Sequence, residues 1–208
     1  MNARLVKRTM DVTIACALLV LLSPVLAVAA VGTLLTGGRP ILFRQLRPGL
    51  HGVPFTLRKF RSMRPIRPGE GFWDTDEVRL TAFGRLLRRT SLDELPQLFQ
   101  VVSGEMSLVG PRPLLMEYLP HYSPWHARRH EVRPGITGLA QVNGRSALTL
   151  GQTLDLDVEY VTRWSPLLDL KILVRTLATP FRPGYIPGRT VADRDDVQLM
   201  RPPLERVE

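Results

Sequence analysis

A long uncharged segment near the N-terminus constrains this chain more than any other feature of its sequence. Residues 12–35 carry no charged side chain, and a helix of that length, at about 1.5 Å per residue, matches a hydrocarbon core about 30 Å thick. Arg4, Lys7 and Arg8 precede the segment, and further arginines follow it from Arg39 onward. Because loops rich in Lys and Arg beside a membrane stay in the cytoplasm, cations on both sides disfavour a simple crossing.

Ser23 and Pro24 lie at the middle of this segment. A proline removes one backbone hydrogen bond and kinks a helix, and a serine hydroxyl can bond a carbonyl that the kink sets free. Two limbs of roughly 12 residues, each about 18 Å long, would dip to mid-bilayer and return. We therefore predict a re-entrant helical hairpin over residues 1–38, with a kinked single-pass anchor as the alternative. Asp11 is interpreted as a helix-start charge or a partner for the nearby cations.

The charge balance indicates an anionic partner but does not identify it. The chain has 28 Lys and Arg residues against 19 Asp and Glu, a formal net charge of +9. Such a balance suits nucleic acid, a phosphate-rich substrate or acidic lipid headgroups. Cys16 is the only cysteine, which excludes an intrachain disulfide and a cysteine-based metal site.

Beyond the apolar segment, the pattern predicts an α+β fold that is mostly helical and has short strands. We expect a domain over residues 39–181 and an extended tail over 182–208. The expected elements are strands at 41–47 and 55–60, a loop at 63–71, helices at 77–89, 92–102 and 114–131, a loop at 135–144, and a helix at 150–177 kinked near Pro166. Pro120 and Pro124 are expected to interrupt the helix at 114–131. Several helices mix leucines with cations, which is typical of interfacial helices and also of globular helices with one core face.

Two adjacent carboxylates, Asp93 and Glu94, follow a pair of arginines. Ser91 and Glu94 have the spacing of a capping box, but a helix capped by Ser91 would place Pro96 where it deletes a hydrogen bond. A helix that starts at Asp93 instead puts Pro96 in the first turn, where its missing N–H costs nothing. We therefore expect both carboxylates at a positive helix end, a natural site for phosphate that also keeps Asp93 ionised.

Further polar residues follow in two segments that are rich in proline or glycine. Arg112 lies between two prolines that fix its backbone, and its planar guanidinium suits a phosphoryl group. The glycine-rich stretch 133–145 adds amide side chains and another arginine. Judged singly, each basic residue is more often a solvated surface charge. Lys59 adds a further cation, and the amide side chains of Gln141 and Asn143 are candidates for substrate binding.

Four motifs in this order resemble one family closely. They are Lys-Phe-Arg-Ser-Met at 59–63, Ser-Leu-Asp-Glu-Leu-Pro-Gln at 91–97, Ser-Leu-Val-Gly-Pro-Arg-Pro at 107–113, and Pro-Gly-Ile-Thr-Gly-Leu-Ala-Gln-Val-Asn-Gly-Arg at 134–145. Together they resemble the monotopic phosphoglycosyl transferases, also called the bacterial sugar transferase family, in its minimal catalytic form. The resemblance runs from Lys7 to about Thr179. The family has a Ser-Pro break in a re-entrant membrane helix, so the resemblance favours the hairpin at Ser23-Pro24.

The resemblance implies a ping-pong transfer of a sugar 1-phosphate from a UDP-sugar to polyprenyl (undecaprenyl) phosphate, with UMP released, as the first membrane step of glycan assembly. Asp93 would be the nucleophile that forms an aspartyl-phosphosugar intermediate. Mg²⁺ is the implied cofactor, with Asp93 and Glu94 as candidate ligands, and Glu94 could instead handle a proton. Arg112, Arg145, Lys59 and Arg88 would contact the phosphates.

The resemblance also implies a setting. We expect a catalytic domain on the cytoplasmic face of the bacterial inner membrane, in contact with inner-leaflet lipids and with no nucleic-acid partner. The sequence does not fix the oligomeric state, and a homodimer is one of the alternatives. The alternative function is a single-pass membrane protein whose basic domain binds nucleic acid or protein. That alternative leaves the Asp93-Glu94 pair unexplained, and the sequence lacks a basic recognition helix with interleaved aromatic residues.

Overall fold

The computed structural model describes residues 3–65, 76–144 and 147–178. The described helices and strands are α1 (Ala3–Leu21), α2 (Ser23–Gly37), β1 (Leu42–Pro48), β2 (Pro54–Phe60), α3 (Asp76–Arg79), α4 (Ala82–Thr90), α5 (Gln97–Ser103), β3 (Ser107–Val109), α6 (Pro124–Ala127), β4 (Gly135–Thr137), α7 (Leu139–Asn143), α8 (Leu150–Arg163) and α9 (Pro166–Ala178). The strands form two small sheets, β1 with β2 and β3 with β4. The prediction of a mostly helical α+β fold is confirmed.

The apolar segment forms two helices that meet at the predicted break. The axes of α1 and α2 are bent by 65°, and Pro24 occupies the first turn of α2, where its missing N–H breaks no bond. The Ser23 hydroxyl donates to the carbonyl oxygen of Val20 at 2.8 Å, so it satisfies a carbonyl at the break, as expected. Among the described residues no single helix is long and apolar enough to cross a bilayer, and α1 and α2 meet that test only as a pair, by length and composition.

The described residues divide into two compact units. The first contains residues 3–45, 56–65 and 76–108, and the second contains 46–55, 109–144 and 147–178. The buried core of the first unit brings α2, β2 and α4 together through Ala29, Phe60 and Leu87. The core of the second unit is formed by Leu114, Leu115, Tyr118, Leu150 and Leu154.

Several predicted elements are confirmed with small shifts. The strand pair β1 and β2 lies where it was expected, and the predicted helix at 150–177 is divided into α8 and α9 ahead of Pro166. A capping box of Thr149 and Gln152 starts α8. The predicted interruption of 114–131 is also observed, since that stretch consists of two 3-10 segments (Met116–His121 and Arg128–Glu131) around α6.

Two element predictions are wrong. The helix expected at 77–89 is interrupted, because Leu80 bridges to Met63 and the Thr81 hydroxyl accepts the Gly84 N–H to start α4 afresh. The stretch 135–144, expected to be a loop, contains β4 and α7. The tail 182–208 and most of the expected loop at 63–71 lie outside the described residues.

Candidate active site

Asp93 and Glu94 lie in a 3-10 turn, Leu92–Glu94, between two helices. The predicted helix start at Asp93 is wrong, because α5 begins only at Gln97, directly after Pro96. The chain leaves α4 through Ser91, which has a left-handed backbone (φ 57°) and makes no side-chain capping bond. The capping-box alternative is therefore also wrong. The turn buries the Asp93 side chain, which is 6% exposed, and leaves Glu94 half-buried.

The turn that holds Asp93 packs against both α4 and α2 within the first unit, and α2 packs against α4. The second limb of the apolar segment is therefore in direct contact with the candidate nucleophile's turn. Gly32 allows α2 to approach α4 closely, because a Cβ there would lie 2.2 Å from the Phe83 ring of α4. A side chain at residue 32 would therefore force the Phe83 ring or the helices to shift.

Arg88 and Lys59 belong to the same unit as Asp93. Arg88 lies in the last turn of α4, and its Nε donates to the buried Ser62 hydroxyl at 2.8 Å, which fixes the direction of the guanidinium. The Lys59 ammonium lies 5.4 Å from the centroid of the Phe43 ring, a cation–π distance. Next to it, Arg61 donates to the carbonyls of Gly37 and Gly38, so this cation caps the C-terminal end of α2.

The other candidates lie in the second unit. Arg112 is half-buried, and its backbone carbonyl accepts a hydrogen bond from Nη2 of Arg129 at 2.6 Å. The Gln141 side chain is 9% exposed, and neither polar atom of its amide has a hydrogen-bond partner in the described structure. Because a buried amide without a partner is costly, a ligand group is a natural partner for it. Asn143 is exposed and donates to the Leu139 carbonyl of its own helix at 2.9 Å. Arg145 lies outside the described residues.

The structure thus sorts the predicted site residues into two sets by unit. Asp93, Glu94, Arg88 and Lys59 belong to the first, and Arg112, Gln141 and Asn143 to the second.

Sequence reasoning missed a buried ionic group in the second unit. Arg129, 2% exposed, donates from Nε and Nη2 to the same Asp157 carboxylate oxygen at 3.0 and 2.7 Å. Burial favours the neutral guanidine, but Asp157 and the hydroxyl of Tyr122 hold the pKa of Arg129 above its usual value. Burial, followed by the charge of Arg129, lowers the pKa of the adjacent His130 to about 4. Neither Arg129 nor Asp157 stands in a recognisable motif, so no local signal could have found them.

The metal-binding capacity of the candidate site is small. The residues that the structure describes contain no group of three or more His, Cys, Asp or Glu side chains able to hold a metal ion. Asp93 and Glu94 can offer at most two carboxylates. Mg²⁺ usually binds through one or two carboxylates together with substrate phosphates and water, so this pair fits Mg²⁺ only when the substrate supplies the remaining oxygens.

Comparison with known families identifies the class of protein. The family described as bacterial sugar transferase matches residues 2–183. That range contains all of the described residues, including the Asp93 turn and Arg112. The chain belongs to the bacterial sugar transferase family.

Individual relatives support this assignment. An uncharacterized sugar transferase, EpsL, from Bacillus subtilis is 54% identical over 173 residues, which cover 83% of this chain and 86% of the relative. A UDP-glucose:undecaprenyl-phosphate glucose-1-phosphate transferase from Caulobacter vibrioides is 43% identical, covering 82% and 68%. The galactosyl transferase CpsE from Streptococcus agalactiae is 38% identical, covering 82% of this chain but only 41% of CpsE.

Proposed function

We propose that this enzyme transfers a sugar 1-phosphate from a UDP-sugar to undecaprenyl phosphate and releases UMP, using Asp93 as a covalent nucleophile. The family assignment and the Caulobacter relative, named for this reaction with UDP-glucose, support the overall transfer. They also favour an enzyme over a basic domain that binds nucleic acid or protein.

One observation carries the proposal: the second limb of the apolar segment packs directly on the turn that holds Asp93. A polyprenyl tail stays in lipid, whereas a UDP-sugar stays in water, so their phosphates can meet only at the interface. A nucleophile on a turn that packs against a membrane-inserted helix lies close to that interface. Holding it there converts a search between two phases into a local encounter.

The outer surface of the helix pair is suited to lipid. Large apolar side chains of α1 and α2 are exposed, among them Val20, Leu21, Val28 and Leu35, at 66–79%. Apolar exposure of this extent in a soluble helix pair would be costly. We propose that α1 and α2 form a re-entrant hairpin whose two ends face the cytoplasm, and the 65° bend supports this arrangement.

A second apolar stripe lies on α9. Leu167, Leu170, Val174 and Leu177 recur at intervals of three or four residues and are each at least 53% exposed. Lys171 and Arg175 are exposed on the same helix. Cations beside an apolar stripe suit an interfacial helix whose cationic side chains reach lipid phosphates. We propose that α9 lies in the headgroup region of the inner leaflet.

The proposed reaction has two displacements. A carboxylate oxygen of Asp93 attacks the β-phosphorus of the UDP-sugar, the bond from that phosphorus to the bridging oxygen breaks, and UMP leaves. An oxygen of undecaprenyl phosphate then attacks the same phosphorus, and the Asp93 carboxylate is regenerated. Two unit charges about 4 Å apart repel by about 4 kcal/mol at an effective dielectric near 20, so cations must accompany the approach.

Arg88 is the first candidate for this purpose, because it lies in the unit that holds Asp93 and its guanidinium is oriented by Ser62. Mg²⁺, if held by Asp93 and Glu94 with the substrate, would neutralise further phosphate charge. Arg112, Arg145 and Lys59 are the remaining candidates for phosphate contacts. Glu94, half-buried beside the nucleophile, is assigned to metal binding or proton handling.

UMP release tests the function. Purified protein in detergent or membrane particles, given undecaprenyl phosphate, Mg²⁺ and a panel of UDP-sugars, should release UMP with at least one donor. The panel should include UDP-glucose and UDP-galactose, because relatives are named for glucose and galactosyl transfer. Asp93→Asn should reduce release to background, whereas Asp155→Asn, a change at an exposed carboxylate, should not. Turnover by Asp93→Asn would remove Asp93 as the nucleophile.

Two further measurements separate the parts of the proposal. Rapid quenching with donor alone should show a peptide containing Asp93 heavier by a sugar phosphate, and an adduct on another side chain would contradict the assigned nucleophile. Single cysteines at the N-terminus and at exposed His121, in a Cys16→Ser background, should react from the same side of a sealed membrane. Labelling from opposite sides would leave only the single-pass arrangement.

A further inference from the structure

The backbone that carries Arg112 is fixed at three consecutive residues. The Gly110 N–H donates to the Thr137 carbonyl at 2.9 Å, and the Pro111 carbonyl accepts from the Gly135 N–H at 2.9 Å. The Arg112 carbonyl accepts from Nη2 of Arg129 at 2.6 Å. Prolines on both sides of Arg112 restrict φ and have no N–H of their own. Arg129 supplies the one side-chain contact among these three anchors.

The orientation of Arg129 is fixed because nearly all its N–H donors are hydrogen-bonded within the fold. Nη2 donates one hydrogen to the Arg112 carbonyl and the other to Asp157 at 2.7 Å. Nε also donates to Asp157, and Nη1 donates to the Tyr122 hydroxyl at 3.2 Å. Four of the five N–H donors of a guanidinium are thus assigned. A guanidinium held in this way has no freedom to turn away from Arg112.

A buried charge pair by itself contributes little net stability, because desolvation offsets its attraction. Hydrophobic residues could fill the same space between α8 and the 3-10 segment Arg128–Glu131. The pair does one thing that an apolar core could not: it presents a rigid N–H to the backbone carbonyl of Arg112, the residue that we propose to contact a substrate phosphate.

We infer that Arg129, held by Asp157, is a positioning residue that fixes the direction from which Arg112 meets the substrate phosphate. The inference rests on the proposed function, because it assigns Arg112 to the substrate. Arg129 itself touches no substrate. Its effect on the reaction passes through the Arg112 backbone, so it should disappear once the Arg112 side chain is removed.

A double-mutant cycle tests this dependence. Arg129→Lys keeps a charge beside Asp157, but an ammonium on a flexible stem cannot reproduce the guanidinium fork. We expect Arg129→Lys to lower kcat/KM for the UDP-sugar by roughly 10- to 100-fold, the scale of a catalytic group displaced by about 1 Å. In an Arg112→Ala background the same change should cost less than about twofold. Arg128→Lys, at the neighbouring arginine paired with Glu131 at the surface, is the matched control and should leave kcat/KM unchanged.

The outcomes are distinct. Equal fold losses in both backgrounds would show that Arg129 acts on the fold at large and would overturn the inference. So would an Arg112→Ala variant as active as the wild type, because nothing would then be positioned. If Arg129→Lys does not fold, the cycle is run with Asp157→Asn, which keeps an acceptor oxygen for Arg129. Absence of UMP release by the wild type with every donor would instead reject the proposed function.

Discussion

Asp11 ties α1 to the rest of its unit through buried hydrogen bonds. Its side chain is 6% exposed and accepts two hydrogen bonds, from the Ser107 hydroxyl at 2.7 Å and from the Leu108 backbone N–H at 3.2 Å. The Lys7 ammonium lies 3.7 Å away. Asp11 is therefore a partner for a nearby cation, as expected, but it lies in the interior of α1 and not at its start.

The cost of removing Asp11 follows from these contacts. A hydrogen bond to a charged group contributes about 1.5–3 kcal/mol, and Asp11→Ala removes two such bonds in a buried place. We allow for some relaxation and expect a loss of about 3 kcal/mol. Ser107→Ala removes only one of the bonds and should cost about 1–2 kcal/mol. The Lys7 pair adds little, because its two charged atoms are 3.7 Å apart and desolvation offsets the attraction within a buried pair.

Thermal unfolding in detergent measures this loss. In a chain of this size each kcal/mol lowers Tm by about 2–4 °C, so Asp11→Ala should lower Tm by about 6–12 °C. Thr13→Ala, at an exposed position of the same helix, is the matched control and should change Tm by less than about 2 °C. Because the Ser107 bond ends on Asp11, the double variant Asp11→Ala with Ser107→Ala should be no less stable than Asp11→Ala.

Two results would refute this reasoning. If Asp11→Ala lowers Tm no further than Thr13→Ala, the buried carboxylate does not hold α1. If the losses of Asp11→Ala and Ser107→Ala simply add, the two residues do not share a bond in solution.

Two further predictions concern the second unit. Gly135→Ala should cost at least about 3 kcal/mol in unfolding experiments or prevent folding, because its Cβ would lie 2.1 Å from the Gly110 nitrogen, and backbone cannot yield as a side chain can. Gly151→Ala, whose Cβ finds no atom nearer than 4.0 Å, should instead stabilise α8 by about 0.5–1 kcal/mol, and equal losses at both sites would contradict the reasoning. The pKa of His130 is lowered to about 4, by burial and then by Arg129, against the pull of a hydrogen bond with the Gly49 backbone. As pH falls, the imidazole of His130 is protonated in the unfolded state before it is protonated in the folded state. This difference should lower the free energy of unfolding by about 1–2 kcal/mol between about pH 7 and pH 4, after allowance for the partial exposure of His130. His130→Gln should remove that part of the pH dependence of unfolding, whereas the exposed His121→Gln should keep it; identical pH profiles for wild type and His130→Gln would contradict the assignment.

Predictions from the local sequence were correct at positions where a single residue type restricts the backbone conformation. Pro24 and Pro166 cannot lie inside a regular helix, and both mark the starts of helices, α2 and α9. The turn residues after Pro48 likewise separated β1 from β2. These predictions needed no knowledge of the remainder of the chain, because the proline ring itself excludes the alternatives.

The Asp93 turn shows where local rules fail. Both predicted helix starts, at Ser91 and at Asp93, assumed that the helix must include the carboxylates. The left-handed Ser91 and the 3-10 turn Leu92–Glu94 form a third arrangement, which is stabilised by packing against α2 and α4. The stretch 135–144 failed for a related reason. Its glycines were interpreted as the mark of a loop, but Gly135 lies in β4, where the Gly110 backbone passes too close for any side chain.

The least predictable residues are two buried charges, Asp11 and Arg129, that hold other parts of the chain in place. Asp11 accepts a hydrogen bond from Ser107, 96 residues away in the sequence, and Arg129 donates to Asp157, 28 residues away. In the sequence each is indistinguishable from a solvated surface charge, because charge type does not encode burial. Desolvation makes a buried charge costly unless its partners are placed well, so the whole fold has to place the partners of Asp11 and Arg129 accurately. In this enzyme they hold α1 and Arg112, the parts that we propose to enter the lipid and to meet the phosphate.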